Sequence, residues 1–180
     1  MEKLNKEELT ILDALTPENG TAEKIAKKIK IKEKVIEKTL EKLEKMKLVS
    51  CMKTGINDDI NFWSITREGE KYLSENAFIN EFGELFTREE VKEIKERILK
   101  LPDELIDELF YRCGFIYSGM AFVTGDGKSF KALYDGAIEE IRDEVYFLEN
   151  SLLSETPMKE ILKNLEDLEK EVKNQNQTLS

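Results

Sequence analysis

The order of elements in residues 21–73 constrains this chain more than any other feature of its sequence. Apolar residues recur at helical spacing in two short segments, first at Ala22, Ile25, Ala26 and Ile29 and then at Ile36, Leu40 and Leu43. Two β-rich runs, VSCMKT and INFWSIT, follow on either side of the turn sequence GINDD, and a further helix starts after Thr66. The pattern predicts a small helical unit that carries a β-hairpin.

Helix-capping residues mark the starts of helices before and within this region. Asn5 is followed three residues later by Glu8, which is the spacing of a capping box, and apolar residues then recur at helical spacing. Pro17 and Gly20 break this first helix, and Thr21 can cap the second. We therefore expect three short helices before the hairpin, the third over roughly residues 33–47.

The end of the third helix and the return strand of the hairpin carry two recognisable runs. They consist of Leu43, Lys47, Leu48 and Val49, and of Trp63, Ile65, Thr66 and Gly69. Residues 5–75 resemble the winged-helix regulators of the MarR and ArsR type, in which the runs read Leu-x-x-x-Gly-Leu-Val and Trp-x-Leu-Thr-x-x-Gly. The resemblance implies a winged helix-turn-helix that holds DNA, although winged helices also serve as protein-binding modules. Because Lys47 stands where the family usually has glycine, we expect the turn after the recognition helix to be made differently.

Charge is distributed unevenly along the chain. The formal net charge is −10, which opposes binding to a polyanion. From Ala22 to Lys53, however, eleven lysines stand against five glutamates, whereas residues 76–180 carry thirteen basic and twenty-three acidic residues. This asymmetry predicts two surfaces, one that tolerates a polyanion and one that repels it.

Residues on and near the third helix are the candidates for contact with DNA. They are Lys32, Lys34, Val35, Glu37, Lys38, Thr39, Lys42, Lys45 and Lys53. Lysine ammonium groups suit phosphate oxygens, and a glutamate can accept a hydrogen bond from cytosine. The alternative is an ordinary solvated helix, in which Glu37 pairs with Lys34. The hairpin tip, residues 57–59, is acidic, which disfavours DNA.

The region that follows reads as a series of acidic helices. The fourth helix is predicted to continue as far as Phe86. Thr87 and Glu90 then have the spacing of a capping box, which predicts a helix to about Leu101. Pro102 is expected at the first position of the next helix, where its missing N–H group costs nothing.

The last helix carries an apolar seam. Thr156 is expected to cap this helix, with Pro157 at its first position. Along it, apolar residues recur at spacings of four, three and four, at Ile161, Leu165, Leu168 and Val172. We predict that this seam joins two copies of the chain in a homodimer.

An aromatic cluster between Phe110 and Phe122 admits two interpretations. Five aromatic residues lie there within thirteen positions: Phe110, Tyr111, Phe115, Tyr117 and Phe122. One interpretation is core packing or a dimer interface. The other is a pocket for a small-molecule effector, which the small residues nearby would let approach closely.

The sequence carries no motif for catalysis or for metal binding. Histidine, the commonest general base and metal ligand, is absent. Carboxylate pairs such as Asp103/Glu104 repeat along helical faces, as solvated surface residues do. We therefore predict that the protein is not an enzyme, with no catalytic residue, no metal ligand and no cofactor.

The compartment follows from what the sequence lacks. There is no run of 18 apolar residues, so no membrane span is predicted, and the first residues lack the apolar stretch of a signal peptide. A cytoplasmic protein is expected, with Cys51 and Cys113 as reduced thiols.

These patterns lead to one architecture and two functions. The fold is predicted to be mainly α with a small β-hairpin wing, with a winged helix over residues 1–75 and an acidic helical domain over residues 76–180 for dimerisation or for a partner or effector. The preferred function is a DNA-binding transcriptional regulator that acts as a homodimer on double-stranded DNA. The alternative is a winged-helix module that binds no DNA and docks a protein partner through its acidic half.

Overall fold

The computed structural model describes residues 3–55, 60–114, 142 and 148–178. The chain divides into an N-terminal unit, Met1–Ala77, and a C-terminal unit, Phe78–Ser180. The elements of the N-terminal unit are, in order, α1 (Lys6–Ala14), α2 (Ala22–Ile29), α3 (Glu33–Lys45), β1 (Val49–Thr54), β2 (Ile60–Ile65) and α4 (Arg67–Asn76). This is the order of a winged helix-turn-helix, so the predicted fold of this region is confirmed.

The predicted caps of the first two helices are present. The Asn5 side-chain oxygen accepts the backbone N–H of Glu8 at 2.9 Å, and Glu8 Oε2 accepts the backbone N–H of Asn5 at 3.0 Å. The two bonds complete the capping box of α1. At the start of α2, the hydroxyl oxygen of Thr21 accepts the backbone N–H of Lys24 at 3.3 Å. Side chains therefore satisfy backbone donors that a helix leaves open at its first turn.

The turn after α3 has the geometry that glycine usually supplies. The backbone N–H of Lys47 donates to Glu44 at 2.8 Å, and that of Leu48 donates to Leu43 at 2.9 Å. These two bonds define a Schellman motif, in which the residue after the cap takes the left-handed conformation. Lys47 itself adopts it, with φ of 64°. The expectation that the turn would be made differently was wrong, because the lysine accepts the conformational strain instead.

Thr66 joins the start of α4 to the end of this turn. Its hydroxyl donates to the carbonyl oxygen of Lys47 at 2.8 Å and accepts the backbone N–H of Gly69 at 3.0 Å. Its own backbone N–H donates to the carbonyl of Leu48 at 3.0 Å. A Cβ atom on Gly69 would lie 2.0 Å from that same Leu48 carbonyl oxygen. Only glycine allows this close approach of α4 to the chain after α3.

The hairpin packs its inner face on the helices. β1 and β2 are antiparallel, in a register that sets Cys51 opposite Trp63 and Met52 opposite Phe62. The outer edge of β2 pairs with Gly20, whose N–H and C=O both bond to Trp63, at 3.0 and 2.8 Å. The Trp63 side chain is buried, as are the apolar residues that the helical spacing predicted in α3.

The C-terminal unit is mainly helical among its described residues. β3 (Ala77–Ile79) begins at the last residue of the N-terminal unit. The elements that follow are β4 (Leu85–Thr87), α5 (Arg88–Ile98), α6 (Asp103–Arg112), a π-helical turn (Glu149–Leu153) and α7 (Met158–Thr178). No helix of the described chain has the length and apolar character to cross a lipid bilayer. The prediction of a mainly α fold with a small wing and a following helical domain is confirmed.

The prediction that the fourth helix continues to Phe86 was wrong. The helix ends at Asn76, and β3 and β4 form a second small sheet in its place. The reason lies in Asn80, whose buried side-chain oxygen accepts two backbone N–H groups of the turn at 3.0 and 2.9 Å. Gly83 completes the turn with φ of 71°. An asparagine and a glycine thus favour a turn over the helical spacing of the apolar residues.

Of the three helix starts predicted in this unit, one is confirmed and two differ from the prediction. Thr87 and Glu90 form the predicted capping box, with bonds of 3.2 and 2.8 Å. Pro102 precedes α6 as its cap instead of occupying its first position. Thr156 does not cap α7 as expected. It is buried, and the backbone N–H of Met158 donates to the carboxylate of Glu84 at 2.7 Å instead.

The apolar seam of α7 lies inside its own unit. Ile161, Leu165 and Leu168 have no exposed surface, and they share one core with the buried faces of α5 and α6. Val172 is partly buried against the same core. The seam therefore packs against α5 and α6 of the same chain, and its buried residues are not exposed for contact with a second copy.

Candidate nucleic-acid interface

The third helix is amphipathic with a charged outer face. Its buried side consists of Ile36, Thr39, Leu40 and Leu43. The remaining positions carry lysine and glutamate almost without exception. Because a helix turns 100° per residue, residues four apart lie on one stripe, and the two charge signs fall on different stripes of α3.

The first stripe, which we call the lysine flank, consists of Lys34, Lys38, Lys42 and Lys45. Lys34, Lys38 and Lys45 are exposed to solvent. Their ammonium groups form no ion pair with any residue that the structure describes. Three compact positive charges therefore face solvent on one side of the helix.

The second stripe, which we call the glutamate flank, consists of Glu33, Glu37 and Glu41 at a spacing of four. These carboxylates line a groove of about 450 Å³ between α3, the start of α2 and β2. The groove is completed by Thr21, Ala22, Glu23, Ile60, Asn61 and Trp63. At its rim, Lys27 donates to Glu23 at 2.6 Å, and this hydrogen bond lowers the pKa of the Glu23 carboxyl. The groove is therefore lined by four glutamate side chains, next to a basic stripe.

Three of the predicted contact residues do not project freely into solvent. Thr39 is only 8% exposed, because it lies one turn from Ile36 and Leu43 on the buried side of α3. Its selection as a DNA-facing residue was wrong for this reason. Lys42 contacts Glu8 of α1 at 2.8 Å, and Val35 is half-buried at the edge of the lysine flank.

The other predicted contacts lie at the two ends of the helix-hairpin unit. Lys32 is exposed just before α3, and its carbonyl oxygen accepts the first backbone bonds of the helix. Lys53 is exposed on β1 opposite Asn61, next to the end of the described strand. The acidic hairpin tip falls within residues 56–59, outside the described part of the chain.

The structure describes only the start of the predicted effector cluster. Phe110 is buried in the core of the C-terminal unit, and Tyr111 is exposed. Phe115, Tyr117 and Phe122 lie outside the described residues. Within the described ranges no cluster of Cys, Asp and Glu side chains has the geometry to hold a metal ion.

The two thiols belong to different units of the chain. Cys51 is half-buried on β1, and Cys113 is buried at the end of α6. Burial raises the pKa of the Cys113 thiol to about 11, although Asn164 donates a hydrogen bond to its sulfur at 3.5 Å. Both cysteines are free, as the sequence predicted.

Two features of this surface were not predicted from the sequence. Glu33 was not recognised as part of a stripe with Glu37 and Glu41, although the spacing of four residues is visible in the sequence. Glu8 and Lys42, which contact each other, are 34 positions apart in the sequence. No local sequence pattern predicts a contact between residues so far apart.

The solved structures that resemble the chain include ZitR from Lactococcus lactis, a zinc-responsive MarR family member. A single-site mutant of ZitR from Lactococcus lactis, in complex with DNA, is 29% identical, with a TM-score of 0.37. The match covers 41% of this chain and 50% of that one, so the chain spans about half the length of this relative. BldR from Sulfolobus solfataricus is 21% identical over 59% of this chain and 70% of that one, with a TM-score of 0.40.

A third similar structure is the adhesin competence repressor AdcR from Streptococcus pyogenes. It is 22% identical over 41% of this chain and 55% of that one, with a TM-score of 0.38. No protein-family model and no curated protein matches the chain. The assignment of the N-terminal unit to the winged-helix class therefore rests on its own element order and strand pairing.

Proposed function

We propose that the protein is a DNA-binding transcriptional regulator in which the lysine flank of α3 contacts the phosphate backbone. The observation that carries this proposal is the set of exposed ammonium groups of Lys34, Lys38 and Lys45 on the recognition helix of a winged helix. Helix-turn-helix proteins place this helix in the major groove. Lysine is a compact charge that suits phosphate better than the bidentate reading of a base.

The glutamate flank determines how such a helix can approach DNA. Carboxylates repel phosphates, so the strand that contacts the lysine flank must pass on the side of α3 away from the acidic groove. Two adjacent stripes of opposite charge on one helix therefore favour one orientation of the duplex. They also lower affinity relative to a helix that carries lysine alone.

We propose further that the regulator acts as a homodimer through its C-terminal unit. Two-fold symmetric helix-turn-helix proteins bind two half-sites about one helical turn apart. Because the α7 seam is covered by its own chain, the contact needs another surface. Ile79 and Phe82, which are 38% and 55% exposed, are large apolar side chains of this unit that such a surface can use. Light scattering at micromolar concentration should give twice the chain mass, and a monomer mass would contradict the dimer.

The test of DNA binding is a titration of random-sequence duplex DNA with the full chain at increasing salt. At about 50 mM salt, where phosphate contacts are strong, we expect retardation of the duplex on a gel. The logarithm of the binding constant should fall linearly with the logarithm of the salt concentration, by about 0.9 for each phosphate contact. If the protein retards no duplex even at the lowest salt concentration, the proposal of a DNA-binding regulator is refuted.

The acidic groove favours a second candidate, a module that docks a basic protein segment. Glu23, Glu33, Glu37 and Glu41 around one groove would complement lysine or arginine side chains. The substitutions Glu33→Gln, Glu37→Gln and Glu41→Gln, made together, separate the two functions. If the wild type binds DNA and the triple variant binds it more tightly, the regulator is supported. If only the triple variant binds DNA, α3 excludes DNA in the natural protein and the docking function is the better one.

A further inference from the structure

The contact between Glu8 and Lys42 gives one lysine of the flank a different role from the others. Lys42 Nζ lies 2.8 Å from Glu8 Oε1. The Glu8 side chain is 13% exposed and that of Lys42 is 31% exposed, so the pair is shielded from water far more than an ordinary surface ion pair. It joins α1 to the recognition helix.

Glu8 is itself fixed by a second set of bonds. Its other carboxylate oxygen accepts the backbone N–H of Asn5 at 3.0 Å, and its own N–H donates to the Asn5 side chain at 2.9 Å. The carboxylate that holds Lys42 is thus part of the capping box of α1 and has little freedom to move. A phosphate would have to displace a preorganised carboxylate in order to bind this ammonium group.

We propose that Lys42 is a positioning residue, which Glu8 holds so that α3 is fixed against α1. The phosphate contacts of the flank then come from Lys34, Lys38 and Lys45. This inference rests on the proposed function, because it assigns roles within the surface that would bind DNA. It also makes Glu8, which lies outside the helix-turn-helix, a determinant of DNA affinity.

The experiment compares Lys42→Ala with Lys34→Ala, the same change two turns earlier at an exposed site. The probe is random-sequence duplex DNA over a range of salt. Lys34→Ala should reduce the magnitude of the logarithmic salt slope by about 0.9 per subunit. Lys42→Ala should lower the affinity by up to roughly fivefold at every salt concentration and leave the slope unchanged. An equal loss of slope in both variants would overturn the positioning role.

A second variant, Glu8→Gln, removes the ion pair without removing a cation. A glutamine oxygen can still accept the Asn5 N–H, so the capping box is retained. If Lys42 positions α3, this variant should lose DNA affinity as Lys42→Ala does. If Lys42 instead contacts phosphate, releasing it from Glu8 should leave the affinity unchanged or raise it, which would overturn the proposal.

Thermal unfolding distinguishes this proposal from the proposed function. Glu8→Gln and Lys42→Ala should each lower the unfolding midpoint by about 2–4 °C, and the double variant by no more than either alone. Additive effects would overturn the ion pair as a positioning contact, whether or not the chain binds DNA. If the wild type binds no DNA, the proposed regulator function is refuted. The unfolding midpoints of the two single variants and the double variant then decide by themselves whether Lys42 positions α3.

Discussion

The two units of this protein use positive charge in different ways. In the C-terminal unit, arginines join helices that are distant in sequence. Arg97 of α5 contacts Glu169 of α7 through two bonds of 2.7 and 3.1 Å, and Arg112 of α6 contacts Glu171 of α7 at 2.9 Å. In the N-terminal unit the exposed cations of the lysine flank contact no described carboxylate. Only Lys42 of that flank has a described partner from another helix.

This difference follows from the chemistry of the two side chains. A guanidinium group is planar and matches a carboxylate through two parallel bonds, which suits a fixed internal contact. An ammonium group on a flexible stem keeps its hydration and can follow a phosphate that moves. The arginines of the C-terminal unit therefore stabilise the packing of its own helices, and the solvent-facing lysines of the flank agree with the proposed contact with a polyanion.

The N-terminal unit should depend more on close packing than on charge. Gly69→Ala would place a Cβ atom 2.0 Å from the Leu48 carbonyl oxygen and 2.8 Å from an Ile65 carbon. We expect a loss of about 3–4 kcal/mol in the free energy of unfolding. Trp63 is the only tryptophan and is buried in this unit, so its fluorescence reports the unfolding of this unit during denaturation.

The matched control is Gly20→Ala in the same unit. The nearest atom to a Cβ there is 3.4 Å away, at the flexible side chain of Lys24. This variant should change the stability by less than about 0.5 kcal/mol. Equal losses of stability in the two variants would show that the close approach of Gly69 to the Leu48 carbonyl does not determine the stability of this unit.

The C-terminal unit should be more sensitive to pH and salt. The hydrogen bond from Arg97 lowers the pKa of the Glu169 carboxyl, and burial opposes this only in part. A carboxyl whose folded pKa is depressed stabilises the fold above its unfolded pKa, and this contribution is lost as pH falls through the folded pKa. Glu169→Gln should therefore cost about 1 kcal/mol at neutral pH. The difference from wild type should shrink as the pH falls below the ordinary glutamate pKa of about 4.3 and vanish below the depressed folded pKa.

The salt dependence of that difference provides the check. A partly exposed pair is screened at about 1 M salt, so urea unfolding should show a smaller difference between wild type and variant there. A difference that stays constant between neutral pH and acid would mean that the residue acts through packing alone.

A substitution in the turn after α3 should give a smaller effect, a gain in stability. Lys47 holds φ of 64°, a conformation that glycine adopts without strain. Lys47→Gly should raise the free energy of unfolding by about 0.5–1 kcal/mol, as followed by Trp63 fluorescence. A loss of stability would show that the lysine side chain contributes more than its backbone conformation costs.

Local signals made much of the N-terminal unit predictable. Caps at Asn5, Thr21 and Thr66 and the spacing of buried residues in α3 depend on neighbours within a turn or two, so the sequence displays them directly. The second hairpin was not predicted, because Asn80 competes with a helical pattern of apolar residues that extends to Phe86. Short-range spacing could not decide between the two.

The candidate site was less visible in the sequence than the fold. The lysines of α3 were identified as a group from the sequence. The structure shows in addition that Thr39 is buried and that Lys42 is paired with Glu8, unlike the other lysines of the flank. The α7 seam was recognised as apolar, yet spacing cannot show whether the helix packs on its own chain or on a second copy. Each of these outcomes depends on contacts between distant residues.

The salt slope of DNA binding in two matched triple variants shows whether the lysine flank contacts phosphate. One variant combines Lys34→Ala, Lys38→Ala and Lys45→Ala. The other combines Lys159→Ala, Lys163→Ala and Lys173→Ala, which removes the same charge from exposed positions of α7 in the C-terminal unit. We expect the slope to fall in magnitude by up to about 3 per subunit in the first variant and to stay unchanged in the second. Equal slopes in the two variants would contradict this expectation, because net charge and not the lysine flank would then control binding.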